Sequence, residues 1–301
     1  MAAPSRRIGI DVGGTKIDAV ALAAAGDILF SRRVATPPSY DGLLAAVAAL
    51  VAEAGDGPVG IGAPGSESPV TGLWRNANLT FCNGRPFASH LARATGRAVR
   101  LENDANCLAL SEALTGAGGG HGVVVFFTVG TALGGGLVID GKLRVGPNRE
   151  AGEFGHTGLP WPKGDELPLL PCFCGKAGCA EQYVSGTGLA RDYARATGHA
   201  LAGPEIVARA RQGAAEAQAA LARLQDRLAR VAATIVNVID PDIVVVGGGL
   251  SSLHELVEDL PPLIARYSFS GAAQVKVVRA AHGETSGVLG AARLWDDALP
   301  Y

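Results

Sequence analysis

A strand–glycine loop–strand unit occurs twice in the sequence, and this repetition constrains the fold more than any other feature. In the first copy, the apolar run Ile8–Asp11 leads into the loop Val12–Lys16; in the second, Val123–Val129 leads into Gly130–Gly136. Each loop combines glycines with a threonine, which can present backbone N–H groups and a hydroxyl to phosphate. The repetition predicts two related α/β lobes that face each other across a cleft, with a phosphate-binding hairpin on each wall.

Neither loop matches a common nucleotide-binding motif. A Walker loop reads G-x-x-x-x-G-K-[ST] and opens a helix, which differs from Val12–Lys16 in spacing and context. A third glycine run, Gly247–Gly249, follows a buried strand at Ile243–Val246, but no dinucleotide fingerprint opens a βαβ unit near the start of the chain. Many tight hairpins carry two glycines, so each loop taken alone is a weak indication of phosphate binding.

Length and charge limit the class of protein. The chain has 301 residues, 48% of them hydrophobic, and a formal net charge of -2. This balance excludes a nucleic-acid binder with a broad basic face. No run approaches the roughly 18 uncharged apolar residues of a membrane helix, and Met1–Arg7 lacks the apolar stretch of a signal peptide. We expect a cytoplasmic α/β enzyme that binds neither nucleic acid nor membrane.

Three of the five cysteines lie close together, as Cys172, Cys174 and Cys179. A Cys-x-Cys pair followed by a glycine-bounded third cysteine suits tetrahedral thiolate ligation, because glycine allows the backbone to fold tightly around one ion. His156 is the candidate fourth ligand. The set predicts a structural zinc ion, since four protein ligands leave no open position for catalysis.

Two glutamates, Glu153 and Glu181, bracket this cysteine segment. A metal that fixes the backbone beside two carboxylates can hold them rigidly for a polar ligand. The alternative is a purely structural zinc loop that never touches substrate.

Asp104 follows a predicted strand, Ala98–Leu101, at the start of a predicted helix, Ala105–Leu114. The helix dipole favours an ionised carboxylate at this position. An ordinary capping aspartate explains the same pattern equally well.

Two further segments concern domain organisation. Gly116–Gly122 consists almost entirely of small residues and suits a hinge. We therefore expect a smaller α/β lobe of residues 1–116 with 286–301, and a larger lobe of residues 117–285 that contains the zinc loop. Ala214–Ile239 carries apolar residues at spacings of three and four, which predicts a long helix packed in a core or a subunit interface.

Together these motifs resemble the ROK family of sugar kinases, within the actin-like ATPase superfamily, over essentially the whole length. The resemblance implies a duplicated actin-like (ribonuclease H-like) α/β fold with two lobes around a central cleft. One departure is Ala132, where the family usually has a second glycine after the loop threonine. The matching stretches are Asp11–Lys16, Glu102–Cys107, Gly130–Gly136, Gly152–His156, Cys172–Glu181 and Val246–Gly249.

Within the family the chain is most similar to bacterial fructokinases of the manno(fructo)kinase type. The segments that carry this closer resemblance are Pro64–Gly72, Asn76–Asn78, Ser185–Leu189 and Ala281–Gly287. The resemblance implies ATP-dependent phosphorylation of the 6-hydroxyl of D-fructose, with mannose or glucose as further substrates. The alternatives are N-acetylglucosamine kinase, glucokinase, and a sugar-responsive regulator or sensor without kinase activity. A DNA-binding repressor of the family carries a helix-turn-helix before its core, for which Met1–Arg7 leaves no room.

The resemblance also implies roles for individual residues and a homodimer. Asp104 is the base that accepts the proton of the attacking hydroxyl, and Asp11 helps to place Mg²⁺ through water. The sugar ligands are Gly65, Asn103, Asp104, Glu153, His156 and Glu181. The ATP contacts are Asp11, Gly13, Gly14, Thr15, Lys16, Gly130, Thr131, Ala132, Leu133, Gly134, Gly135 and Gly136, with Gly247, Gly248 and Gly249 beneath the adenosine.

Overall fold

The computed structural model describes residues 5–76 and 78–296. Ala77, within the segment Asn76–Asn78, and both ends of the chain therefore lie outside the described residues. The chain divides into two compact units. The first comprises the chain up to Gly120, Gly136–Gly152 and the chain from His282 onward; the second comprises His121–Gly135 and Glu153–Ala281. Gly136–Gly152 belongs to the first unit in this division, whereas the sequence analysis places residues 117–285 in the larger lobe.

Strands and helices alternate along much of the chain. The strands are β1 (Arg6–Val12), β2 (Lys16–Ala23), β3 (Ile28–Ala35), β4 (Val59–Ala63), β5 (Ser66–Glu67), β6 (Trp74–Arg75), β7 (Val99–Asn103), β8 (Val123–Val129), β9 (Leu133–Ile139), β10 (Lys142–Leu143), β11 (Ile243–Gly247) and β12 (Lys276–Arg279). The helices are α1 (Tyr40–Ala54), α2 (Phe87–Thr95), α3 (Asp104–Thr115), α4 (Gly186–Thr197), α5 (Gly203–Arg211), α6 (Ala215–Ile239), α7 (His254–Glu258), α8 (Leu260–Tyr267) and α9 (Ser286–Arg293).

The first sheet has the strand order β3-β2-β1-β4-β7. β1 pairs with β2 antiparallel and with β4 parallel, and β4 pairs with β7 parallel. Helix α1 covers this sheet with a buried apolar face, and the Ser39 side chain caps its start by accepting the N–H of Gly42. The carboxyl ends of the parallel strands β1, β4 and β7 therefore lie at one edge, where ligands bind in open α/β sheets.

Helix α9 packs directly on the first sheet through two glycines. A side chain at Gly9 would meet the Val288 carbonyl, and one at Gly60 the Ala291 carbonyl, both in the backbone of α9. The absence of a Cβ at these positions allows the close approach of helix to sheet. The helix near the end of the chain thus packs in the first unit.

The second sheet repeats the first in strand order and direction. Its order is β10-β9-β8-β11-β12, with β9 antiparallel to β10 and with β8, β11 and β12 mutually parallel. The repeated glycine-loop hairpins thus correspond to β1–β2 and β8–β9, which confirms the predicted duplication. Among the described residues, no helix is both long enough and apolar enough to cross a membrane.

Candidate active site

Asp104 lies where β7 ends and α3 begins. The cap of this helix is its neighbour, Asn103, whose Oδ1 accepts the backbone N–H groups of Ala105 at 2.8 Å and Asn106 at 3.3 Å. Asp104 is the first helical residue, so it is not the capping aspartate that the sequence left open as an alternative. Burial raises the pKa of Asp104, and the hydrogen bond from the Ala105 N–H opposes that rise. Asp104 therefore has the position and the increased basicity that suit a general base.

Gly65 and Asn103 meet at the same edge of the first sheet. The Asn103 Nδ2 donates to the Gly65 carbonyl at 3.1 Å. Gly65 has a φ of 102°, in the left-handed region, and a side chain there would meet the backbone of Arg75 and the Cβ of Asn76. This position therefore requires glycine. The structure thus brings together three of the predicted sugar ligands, Gly65, Asn103 and Asp104.

Asp11 and the first glycine loop lie at the carboxyl end of β1. Burial and the neighbouring Asp104 raise the pKa of Asp11 to about 7. The Gly13 N–H donates to the Lys16 carbonyl at 2.9 Å, which closes the hairpin and leaves Gly14 and Thr15 exposed at its tip. The Lys16 ammonium pairs with Glu284 at 2.9 Å. The loop geometry suits an anion, whereas Lys16 is engaged by a carboxylate.

The second glycine loop has two distinct parts. Gly130–Ala132 form the turn, closed by the Gly130 N–H on the Ala132 carbonyl at 3.0 Å, and Thr131 and Ala132 are exposed. Leu133–Gly136 already belong to β9. There, a Cβ on Gly135 would clash with the Phe154 ring, and a Cβ on Gly136 would clash with Ala109. Close packing therefore explains the glycines of β9, and the exposed turn is the part of the loop that a ligand can reach.

Gly247 is the last residue of β11, and Gly248 and Gly249 follow it within the second unit. Gly248 has a φ of 82°, and a side chain there would meet the backbone of Val129. A Cβ on Gly130 would lie 3.9 Å from the Gly249 nitrogen. The glycine run therefore packs against the base of the second loop.

The predicted zinc ligands converge. The ligand atoms of His156, Cys172, Cys174 and Cys179 all lie within 4.8 Å of one another. The Cys174 and Cys179 sulfurs are 3.5 Å apart, and the Cys172 sulfur is 3.6 Å from the His156 Nδ1. Zn–S bonds of about 2.3 Å separate two thiolates in a tetrahedral site by about 3.8 Å. The residues therefore fit a four-coordinate metal, and the soft thiolates favour zinc.

Glu181 lies next to this cluster. Its Oε1 accepts from the Cys172 thiol at 3.2 Å and lies 3.7 Å from the His156 Nδ1. The Nδ1 nitrogen of His156 thus faces the cluster. Glu153 precedes a short 3₁₀ turn, Phe154–His156, and its carbonyl accepts the His156 N–H at 3.0 Å. The predicted sugar ligands His156 and Glu181 therefore lie at one candidate metal site, and Glu153 lies next to His156 through the short turn.

The sequence analysis assigned no individual role to several polar residues that support these loops. Ser185 caps α4 and donates to the Glu181 carbonyl at 2.7 Å, and Thr187 donates to the Thr131 carbonyl at 3.0 Å. Both lie in Ser-Gly-Thr-Gly, whose serine is a readable helix cap. Glu102 and Arg149 form an ion pair at 3.4 Å behind Asp104. Only the position of Glu102 beside Asn103 could have indicated it, because Arg149 is remote in sequence.

Comparisons with known proteins agree with this geometry. The ROK family matches residues 7–298. N-acetyl-D-glucosamine kinase of Salmonella paratyphi C is 40% identical over 296 residues, which cover 95% of this chain and 98% of that protein. The crystal structure of a ROK hexokinase from Thermus thermophilus is 31% identical, with a TM-score of 0.86 and coverage of 95% of this chain and 96% of that one. A ROK glucokinase from Streptomyces griseus, solved with glucose and AMPPNP, is 34% identical, with a TM-score of 0.76 and coverage of 96% and 98%.

The fold and these likenesses define the class: an α/β sugar kinase with the actin-like ATPase fold. The chain belongs to the ROK family. The predicted family and fold are thereby confirmed. The closer resemblance to fructokinases is not confirmed, because the relatives described above are an N-acetylglucosamine kinase, a hexokinase and a glucokinase.

Proposed function

We propose that the protein transfers the γ-phosphate of ATP to a hydroxyl of N-acetyl-D-glucosamine. The observation that carries this proposal is the 40% identity to N-acetyl-D-glucosamine kinase over 95% of the chain. This identity favours N-acetyl-D-glucosamine, an alternative in the sequence analysis, over fructose, the substrate predicted there first. The fructose reading depended on short segments such as Pro64–Gly72, and the relatives described above give it no support.

Asp104 is the base in this proposal. Phosphoryl transfer passes through a loose transition state, so a well-aimed carboxylate that accepts the hydroxyl proton is sufficient. The Asn103 cap fixes where Asp104 leaves the sheet. General-base catalysis by such a group contributes about 10²–10⁴ to the rate.

The two exposed glycine–threonine turns hold the ATP phosphates, and Asp11 helps to place Mg²⁺. Backbone N–H groups and the Thr15 and Thr131 hydroxyls supply the donors, while Mg²⁺ neutralises the charge that the triphosphate carries. Gly247–Gly249 leave room for the adenosine. Support comes from the Streptomyces griseus glucokinase, which was solved with the ATP analogue AMPPNP.

In the second unit, Glu153, His156 and Glu181 bind sugar hydroxyls, and a structural zinc ion holds their backbone. Ionised carboxylates accept hydrogen bonds from hydroxyl groups. Because Nδ1 of His156 faces the cysteine cluster, its Nε2 is the nitrogen available for sugar. Zinc ligation by Nδ1 fixes the ring orientation.

A coupled ADP-release assay on a panel of hexoses tests the substrate. We expect the highest kcat/KM with N-acetyl-D-glucosamine, and lower values with glucose, mannose and fructose. Glucose is the second candidate, because a 34% identical relative was solved with glucose. A preference for fructose would restore the first reading, and no ADP release with any sugar would favour a regulator or sensor.

The homodimer implied by the family resemblance and the cytoplasmic location expected from the composition also stand as proposals. The apolar stripe of α6 that suggested an interface is largely buried within this one chain, with Leu224, Leu228 and Val231 at 1% exposure or less. Sedimentation analysis of the purified protein tests the dimer.

A further inference from the structure

A buried carboxylate that has no role in the proposed reaction directly precedes the sugar-binding and base residues. Glu102 lies near the end of β7 with 2% of its surface exposed. Its Oε1 accepts the backbone N–H of Asn103 at 2.9 Å and the Nδ2 of Asn106 at 3.3 Å. Its Oε2 pairs with Arg149 at 3.4 Å. Both carboxylate oxygens are therefore held, one by the start of α3 and one by Arg149.

These contacts determine how the chain turns from strand to helix. The hydrogen bond to the Asn103 N–H fixes the peptide that joins Glu102 to Asn103. Asn103 then caps α3 and donates to the Gly65 carbonyl at 3.1 Å. The bond to Asn106 ties the first turn of α3 back to the strand. Asp104 lies between the two tethered residues, so its direction depends on both.

The Asn106 amide is oriented so that its Nδ2 donates to the Glu102 carboxylate. Asn106 is 4% exposed, and its Oδ1 has no hydrogen-bond partner among the described residues. Reversing the amide would place that oxygen against the Glu102 carboxylate and repel it. The amide therefore directs its N–H group to Glu102, and its own oxygen has no partner among the described residues.

Stability alone does not explain why a buried carboxylate is kept at this position beside a partly buried arginine. Replacing such a pair by apolar residues of similar volume is often neutral or stabilising, whereas removing one partner leaves a costly buried charge. Burial raises the pKa of Glu102, the Asn103 N–H and Arg149 oppose that rise, and nearby Glu67 adds to it. The charged pair Glu102–Arg149 therefore suits a role in fixing the direction of Asp104.

We propose that Glu102 is a positioning residue for phosphoryl transfer, whose carboxylate, held by Arg149, aims Asp104 by fixing the residues on either side of it. The inference rests on the proposed role of Asp104 as base. It acts through hydrogen bonds to Asn103 and Asn106 and requires no contact with sugar or ATP.

Substitution of Glu102 provides the first test. Glu102→Gln keeps one acceptor oxygen, and Glu102→Met keeps neither, so kcat should fall in that order, by roughly 10- to 100-fold for methionine. The matched control is Glu166→Met, since Glu166 is also 2% exposed and pairs with Arg227 and Arg230, in the second unit. The control should lose stability but keep its kcat per folded molecule. Equal losses of kcat in both variants would overturn the inference.

A double variant separates positioning from folding. Glu102→Met with Arg149→Met also removes the guanidinium that the first substitution deprives of its carboxylate. Stability should therefore rise above that of Glu102→Met alone, while kcat stays low. Recovery of kcat together with stability would show that Glu102 is structural only.

Combination with Asp104→Asn separates this inference from the proposed function. In the Asp104→Asn background, Glu102→Met should cost no further residual turnover, since it acts through Asp104. If Asp104→Asn retains full turnover, the proposed base is wrong; if Asp104→Asn is inactive but Glu102→Met keeps wild-type kcat, only the inference about Glu102 fails.

Discussion

At the scale of single residues, Asp11 and Asp104 show how this protein accepts an unfavourable charge where chemistry is proposed. Burial and the charge of Asp104 raise the pKa of Asp11 to about 7. Such shifts concentrate at functional sites, because a cation that binds later relieves the repulsion. In the free protein, however, the raised pKa of Asp11 costs stability increasingly as pH rises from about 4 to about 7.

This cost gives a pH-dependent prediction for Asp11→Asn. Below about pH 4, Asp11 is protonated in both the folded and the unfolded chain, and the stability it contributes is lost as pH rises through the folded pKa of about 7. The substitution should therefore raise the unfolding free energy in Mg²⁺-free buffer by about 1–3 kcal/mol at pH 8, and by less at pH 5. Urea titrations at both values measure this, and an equal gain at both would contradict it. Kinase activity should fall.

At the scale of elements, the close packing of α9 on the first sheet depends on Gly9 and Gly60. Gly60→Ala places a methyl group against the Ala291 carbonyl, which is backbone and cannot move aside. We expect a loss of about 1–3 kcal/mol or more in unfolding free energy, measured by urea denaturation. Gly164→Ala is the control, because its Cβ would meet nothing within 4 Å. An unchanged stability for Gly60→Ala would disprove the direct contact between α9 and β4.

The cysteine cluster allows a test of whether zinc binding and sugar binding depend on each other. Cys172→Ser should lower bound zinc and weaken sugar binding together, because His156 and Glu181 both adjoin the Cys172 sulfur. Elemental analysis and calorimetric titration with sugar measure the two effects. Full sugar affinity in a zinc-free Cys172→Ser protein would show that the cluster is a distant structural support.

Elements with a strong local pattern were predictable. The apolar stripe predicted a helix at Ala214–Ile239, and the structure has Ala215–Ile239. The two glycine hairpins predicted the duplicated sheets. Long-range partners were not predictable: nothing in the sequence pairs Glu102 with Arg149 or assigns Gly136–Gly152 to the first unit. The identity of the sugar was not predictable from local patterns either, because the shape of the pocket distinguishes sugars that differ by one acetamido or hydroxyl group.

At the scale of the whole molecule, two sheets of the same strand order each present a glycine–threonine turn. The duplication thus supplies the two turns for which we propose phosphate binding, and the two units differ in the residues that accompany each turn. The first unit adds Asn103 and Asp104 at the end of β7, and the second adds the cysteine cluster with its carboxylates. The central claim is that these parts transfer phosphate from ATP to a sugar hydroxyl with Asp104 as the base.

The most direct test is ³¹P NMR of a reaction with ATP, Mg²⁺ and N-acetyl-D-glucosamine. For the wild-type protein, we predict that the γ-phosphate signal of ATP decays as a sugar monophosphate signal grows. For Asp104→Asn, the rate should fall by about 10²–10⁴, while calorimetry finds sugar affinity within a few-fold of wild type. A sugar phosphate formed at the wild-type rate by Asp104→Asn, or ATP consumed without any sugar phosphate, would contradict the account.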